Sequence, residues 1–297
     1  MQTELAARKR NVWFIKSIVQ FFMENMGIII GLFAICLILT IQSPSFLTEK
    51  NILNVLRQVA TNLYVACGMT MVIILGGIDL SVGSIIALSG VITGGLISFS
   101  GAPPAVALVS GLVAGTAVGA LNGYIISSTT IPPFIVTLAT MNIARGAAYV
   151  YTGGKPIRVM SEEFNFIGSG YVGSIPIPII YLAVIVLISF AIMNKTKTGR
   201  HIYAVGGNMQ AARFSGIKTK RVQFFVYVFS GFMSAIAGIV LASRMFSGQP
   251  TAGQGAEMDA IAAVVLGGTS MSGGVGKIGG TVIGALIIGV LSNGLNL

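Results

Sequence analysis

The chain of 297 residues has only 9% charged residues against 54% hydrophobic ones, far below the roughly 25% charged composition of soluble globular domains. So few charges cannot coat a water-exposed surface of this size, which excludes a soluble enzyme and points to an all-α bundle of helices in lipid. The net charge of +10 would suit a nucleic-acid binder, but it is concentrated beside long apolar runs, so nucleic acid is not expected as a partner.

In chain order, residues 1–25 come first, with Arg8, Lys9, Arg10 and Lys16 against Glu4 and Glu24. Basic residues flanking a membrane segment mark the cytoplasmic side, so the N-terminus is expected inside the cell. The membrane domain is expected over 26–297. Its first apolar run, about Met26 to Ile41, is followed by no small-x-small cleavage site before Pro44 and reads as an uncleaved signal anchor. Further runs long enough to span about 30 Å of hydrocarbon fall near 58–77, 80–99, 104–126, 132–152, 175–193, 223–245 and 276–296, with a short one at 258–268. The stretch 154–174, holding Lys155, Arg158, Glu162 and Glu163, reads as an external loop. Six crossings then separate the N-terminus from the segment 194–222, which holds seven cations (Lys195, Lys197, Arg200, Arg213, Lys218, Lys220 and Arg221) and no acid. Charge and crossing number agree on an internal basic loop. Cys36 and Cys67 both lie within apolar runs and read as small packing residues, with neither a disulfide nor a metal.

Glycines recur four apart at Gly111, Gly115, Gly119 and Gly123, and again at Gly276, Gly280 and Gly284, as in membrane helices that pack closely. The glycines around Lys277 form neither a dinucleotide fingerprint nor a phosphate loop: the fingerprint lacks its strand and later acid, and Ile278 stands where the loop needs Ser or Thr. Hydrolysis of ATP is therefore not expected of this chain. An internal echo is more informative. Val72 to Gly83 reads VIILGGIDLSVG and Ala263 to Gly274 reads AVVLGGTSMSGG. Paired Gly-interrupted apolar segments point to a possible internal repeat and a solute path, because broken backbone at membrane depth survives only where protein or water satisfies it.

The lone His201 sits beside Arg200 in the basic loop and lacks partners for catalysis. Ionisable groups within or beside the spans are the stronger leads. Asp79, just after the first Gly-Gly, suits both a cap on the next helix and a place on the path. Arg145, in an apolar run, suits an ion-pair anchor or a path residue. Ser81 and Asn122 join them as candidates for the path. Arg244, Glu257 and Asp259 cluster between two spans on the external side, suited to local pairing or to contact with an outside partner.

Gly-Gly-Ile-Asp-Leu-Ser-Val-Gly-Ser at 76–84, Tyr-Ala-Val-Gly-Gly-Asn at 203–208, Ala-Ala-Arg at 211–213, Ser-Gly-Ile at 215–217 and the stretch Gln249 to Gly274 come in an order that resembles one family. That family is the permease subunits of bacterial sugar ABC importers of the ribose, xylose and galactoside class. The resemblance covers nearly the whole chain and implies about 8–10 spans in the inner membrane and a second permease subunit. It also implies a periplasmic sugar-binding protein and a separate cytoplasmic ABC ATPase that uses the ATP, with no cofactor on this chain. Contact with the ATPase is expected at Gly206, Gly207, Asn208, Ala211, Ala212, Ser215 and Gly216, as a short helix from Met209 to Ser215 capped by Asn208 and closed by Gly216. Membrane lipid is expected around the basic loop. The family's chains run on past 293–297 into a further span, without which the crossing number leaves this end external. A secondary transporter or channel using Asp79 as an ion site is the competing expectation.

Overall fold

The computed structural model describes Met23 and residues 26–297; the basic N-terminal stretch lies outside the described residues. Among the described residues twelve helices form a bundle: α1 Met26–Gln42, α2 Glu49–Ile74, α3 Val82–Ser100, α4 Pro104–Ser128, α5 Pro133–Thr152, α6 Glu162–Ser169, α7 Ile177–Lys195, α8 Lys197–Gly207, α9 Met209–Phe214, α10 Thr219–Arg244, α11 Ala256–Leu266 and α12 Ile278–Gly294. Of these, α3, α4, α7 and α10 are long and apolar enough by themselves to cross a bilayer, and α1 and α12 are apolar helices of 17 residues. The fold is a polytopic helical membrane protein.

The centre is α2, buried on every side from Leu63 to Ile74. A helix apolar all round belongs inside a bundle. Packed against it are α10, α11, α12 and α7. Polar pairs join α2 to α12 along its length: Asn51 and Asn293 each donate a side-chain amide to the other at 2.9 Å, Gln58 Nε2 donates to Ser292 Oγ at 3.0 Å, and the Thr70 and Thr281 hydroxyls lie 2.8 Å apart.

The glycine stripe on α4 does what its spacing requires. Gly111, Gly115, Gly119 and Gly123 are all buried, and a Cβ on Gly119 would come within 2.9 Å of Gly231 Cα on α10. Backbones therefore meet without side chains between them, the contact that small residues allow where lipid supplies no hydrophobic drive.

The stretch 154–174, expected as an external loop, has order of its own. Ile157–Arg158 (β1) pairs antiparallel with Ser247–Gly248 (β4), Tyr171–Val172 (β2) pairs with Ile175–Pro176 (β3), and Ser161 caps α6 by accepting from the Phe164 amide. Partners far away in sequence order this stretch. These strands mark one end of the bundle, the strand end; α8, α9 and the cations of 194–222 mark the other, the basic end.

Candidate functional site

Two helices break at matching sequences. After α2, Gly76 takes φ +87°, and residues 75–81 carry the chain to the start of α3. After α11, Gly268 takes φ +82° before α12 begins. Left-handed φ favours glycine, so each Gly-Gly supplies the residue that lets its helix stop within the bundle.

At the first break the Asp79 side chain is fully buried. Its Oδ1 accepts from the Ser81 amide at 3.0 Å and the Ser81 hydroxyl at 2.6 Å, and its Oδ2 accepts from Ser230 Oγ on α10 at 2.8 Å. Asn122 Nδ2 on α4 donates to Ser81 Oγ at 2.9 Å. Thr137 on α5 accepts from the Leu80 amide at 3.1 Å and donates to the Ile78 carbonyl at 3.2 Å. Among the described residues the partners of the carboxylate are thus hydroxyls and one amide, not a cation. The carboxylate sits where the N-terminus of α3 favours negative charge. Asp79, Ser81 and Asn122 are brought into one knot that ties α3, α4, α5 and α10 together at the break.

Two glycines make this possible. A Cβ on Gly68 would come within 2.9 Å of Ser230 Cα, so α10 can lie close enough for Ser230 to reach Asp79. A Cβ on Gly77 would collide with the Tyr227 hydroxyl, which is buried and has no hydrogen-bond partner among the described residues.

Arg145 lies apart from the knot. Its Nη1 donates to the carbonyls of Pro250 and Ala252, both at 2.7 Å, fastening the segment between β4 and α11. The expected cluster of Arg244, Glu257 and Asp259 divides: the Glu257 carboxylate lies against Gly83 at the foot of α3, whereas Arg244 and Asp259 line a cleft of about 160 Å³ with Gln58, Thr61 and Asn62. Asn62 Oδ1 is buried there without a hydrogen-bond partner among the described residues. Beside it, Arg57 on α2 donates to the Tyr171 hydroxyl and lies over the Tyr171 ring, 4.7 Å from its centroid.

At the basic end, α9 is the short helix expected at this position: Asn208 Oδ1 accepts from the Ala211 amide at 2.9 Å, and Gly216 has φ +82°. Ala212 faces inward and is buried, whereas Met209, Gln210, Arg213 and Phe214 point outward, with Phe214 90% exposed. On α8, Tyr203 donates to the Gly276 carbonyl at 2.8 Å, and burial raises its pKa. A Cβ on Gly206 would overlap the Ile74 carbonyl, and Gly207 touches Gly274. These two glycines of the expected contact therefore serve α8's packing on both helix breaks.

Residues 51–297 match the family model described as the branched-chain amino acid transport system / permease component. The chain is 50% identical to the ribose import permease protein of Bacillus subtilis over 277 residues, covering 93% of this chain and 86% of that one. The chain belongs to this permease family. Within it, the chain is also 43% identical to the ribose import permease protein of Escherichia coli K12 over 279 residues, covering 93% and 86% of the two chains. It is 40% identical to the L-arabinose transport system permease protein of the same strain over 283 residues, covering 92% and 83%. Among solved structures the chain has no match.

For this family member, sequence reasoning missed Ser230, Thr137 and Tyr227 around Asp79, Gln58 and Asn62 in the cleft, and Phe214 on α9. Ser230 had a readable signal, a hydroxyl beside Gly231 in a mostly apolar span, though Ser234 and Ser243 share that span. The exposure of Phe214 had none, because the face a six-residue helix presents depends on what its other face packs against.

Proposed function

We propose that this chain is the membrane-spanning subunit of an ATP-driven importer for a monosaccharide, multi-pass in the bacterial inner membrane with its N-terminus and basic end in the cytoplasm. Its sugar permease relatives supply the solute class, and the cations of 194–222 supply the orientation. The observation that carries the ATP-driven reading is α9. It is separately capped, it stands among cations, and it offers an exposed phenylalanine to water. An exposed aromatic on a short rigid helix is an anchor for a pocket on a protein partner, and a cytoplasmic ABC ATPase is the partner such an importer requires. Residues 206–216 then transmit motion, with Phe214 as the anchor and Gly206 and Gly207 joining α8 to the helix breaks.

In this reading Asp79, Ser81 and Asn122 lock the break beside which the solute passes, with Arg145 holding the segment opposite. The cleft of Arg244 and Asp259 faces the periplasm, where a sugar-binding protein docks. A second permease subunit completes the path, and the chain itself holds no cofactor or metal, the ATP being used by the ATPase.

Phe214→Ala tests the assignment better than a change at the buried Ala212. It is expected to weaken association with the ATPase about 10- to 100-fold while leaving the permease folded, read by co-purification and by ATP-driven sugar uptake in proteoliposomes. Normal co-purification and uptake would remove α9 as the contact. Sugar accumulation driven by an ion gradient without nucleotide would overturn the ATP-driven reading altogether.

A further inference from the structure

One face of α5 differs from the outward faces of its neighbours. The helix packs on α3 and α4, with Val136, Thr137, Thr140, Ala144 and Ala148 buried. On its opposite side lie Ile135, Ala139, Asn142, Gly146 and Tyr149, all exposed. Their spacing alternates between four and three residues, which draws the straight seam along which two parallel helices pair. The outward faces of α4 and α7 are of another kind, filled by large apolar residues such as Val109, Val113 and Leu121 or Val184, Leu187 and Phe190, as lipid tails favour. On α5 the seam is shallow, and a Cβ on Gly146 would meet nothing within 4 Å. Asn142 is the tenth of 20 residues in a helix about 30 Å long, so its carboxamide stands near the middle of the hydrocarbon. One N–H donates to the Leu138 carbonyl at 2.9 Å, while the other N–H and the oxygen have no partner among the described residues. An amide left so in lipid is costly.

We propose that a second copy of this chain covers this face, α5 against α5 about a two-fold axis along the membrane normal. Copies that insert with the same orientation hold their α5 helices parallel, and the two-fold axis sets each seam residue opposite itself. Gly146 then meets Gly146, which lets the backbones approach. Asn142 meets Asn142, and each carboxamide supplies the donor and the acceptor that the other lacks. The bundle already joins two of its helices in this way, since Asn51 on α2 and Asn293 on α12 exchange side-chain amides at 2.9 Å. Self-complementarity selects a second copy over an unrelated helix, and one amide in a seam of apolar and small residues fixes the register. This pairing rests on the importer reading, in which a second permease subunit completes the path, and it makes that subunit identical to the first. Gly27 and Gly31 on α1 also leave a Cβ free of contacts, but α1 has no carboxamide at mid-length to select a partner.

The full chain in lipid bilayers is oxidised as Gly146→Cys, as Val113→Cys on α4, as Leu187→Cys on α7, and as the parent with its own Cys36 and Cys67. Gly146→Cys is expected to give a disulfide-linked dimer in several-fold higher yield than the other three. Energy transfer between labelled copies then measures association. Gly146→Leu should weaken it at least ~10-fold and Asn142→Leu about 3- to 10-fold, with Asn142→Gln closer to the parent. Membrane abundance should stay normal in all three, because neither position packs within its own copy. A Gly146→Cys yield no higher than the controls, or association of Gly146→Leu equal to that of the parent, overturns the pairing. So does capture of a different membrane protein by Gly146→Cys in place of a second copy, or a parent dimer linked through Cys36 on α1 in equal yield. ATP-driven ribose uptake is measured separately: uptake without the pair removes only the α5 contact, and a pair without ATP-driven uptake removes only the importer reading.

Discussion

The chain interrupts two helices with the same Leu-Gly-Gly, at 75–77 and 266–268, yet the two breaks are closed by different chemistry. Around the first, side chains do the work: Asp79, Ser81, Thr137 and Ser230 satisfy the loose backbone and one another in a fully buried place. Around the second, backbone does it. Both helices end on the same backbone bond, Gly77 to the Val72 carbonyl at 3.0 Å and Thr269 to the Val264 carbonyl at 3.2 Å. Only the second break goes on in backbone, with Ser270 donating to Val275 at 2.9 Å, Gly273 to Ser270 at 3.1 Å, and Gly274 to the Ile74 carbonyl of the other break at 2.8 Å. The outer part of this turn, with Met271 and Ser272 exposed, meets water, so it needs no buried polar cluster. One pattern thus serves two environments, and the residues after the glycines decide which. An acid and a serine suit the interior break. Small and polar residues suit the turn.

The contrast can be broken most severely where the breaks meet. Gly206→Val should cost about 4 kcal/mol or prevent accumulation of folded protein, because its side chain would drive into the Ile74 carbonyl; membrane abundance and size-exclusion profile in detergent check it. Next comes Asp79→Ala, expected to cost about 3 kcal/mol in thermal unfolding of the purified permease, since it strips an acceptor from two buried hydroxyls and one amide. Asp79→Asn sharpens the comparison by keeping an oxygen for the Ser81 amide; about 1 kcal/mol is expected. If that variant is stable but transports nothing, the charge serves the path as well as the knot, whereas normal uptake at normal abundance confines Asp79 to structure. Gly268→Ala should be mildest, about 1 kcal/mol, because a Cβ there meets nothing within 4 Å and only the positive φ resists it. A cost equal to that of Asp79→Ala would mean that the second break is as tightly determined as the first.

Most of the bundle was legible in the sequence because lipid demands long apolar runs, and the limits expected for α3, α4 and α5 lie within two residues of those found. The start of α2 was not. Glu49, Lys50, Asn51, Arg57 and Gln58 dilute the run before Val59, and Asn51 and Gln58 are accommodated by Asn293 and Ser292 more than 230 positions away, a pairing no local pattern announces. The order within 153–176 was hidden for the same reason, since β1 depends on β4. Asp79 stood out from its surroundings, but Ser230, 151 positions further on, is joined to it only by the crossing of α2 and α10 at Gly68. The cap at Asn208 was readable because its hydrogen bond closes within three residues.

The close contact of α4 and α10 has a mechanical consequence. With 26 residues α10 is a rod about 39 Å long, starting beside α9 and ending at Arg244. Near its middle, Gly231 meets Gly119 with no side chain between them to cushion or slide, and one residue earlier Ser230 holds Asp79. A rod gripped at mid-length by backbone tilts more readily than it bends. Pressure on α9 from the basic end would therefore reach the cleft at the strand end with its direction reversed, and the fulcrum is the same turn of helix that holds the buried carboxylate.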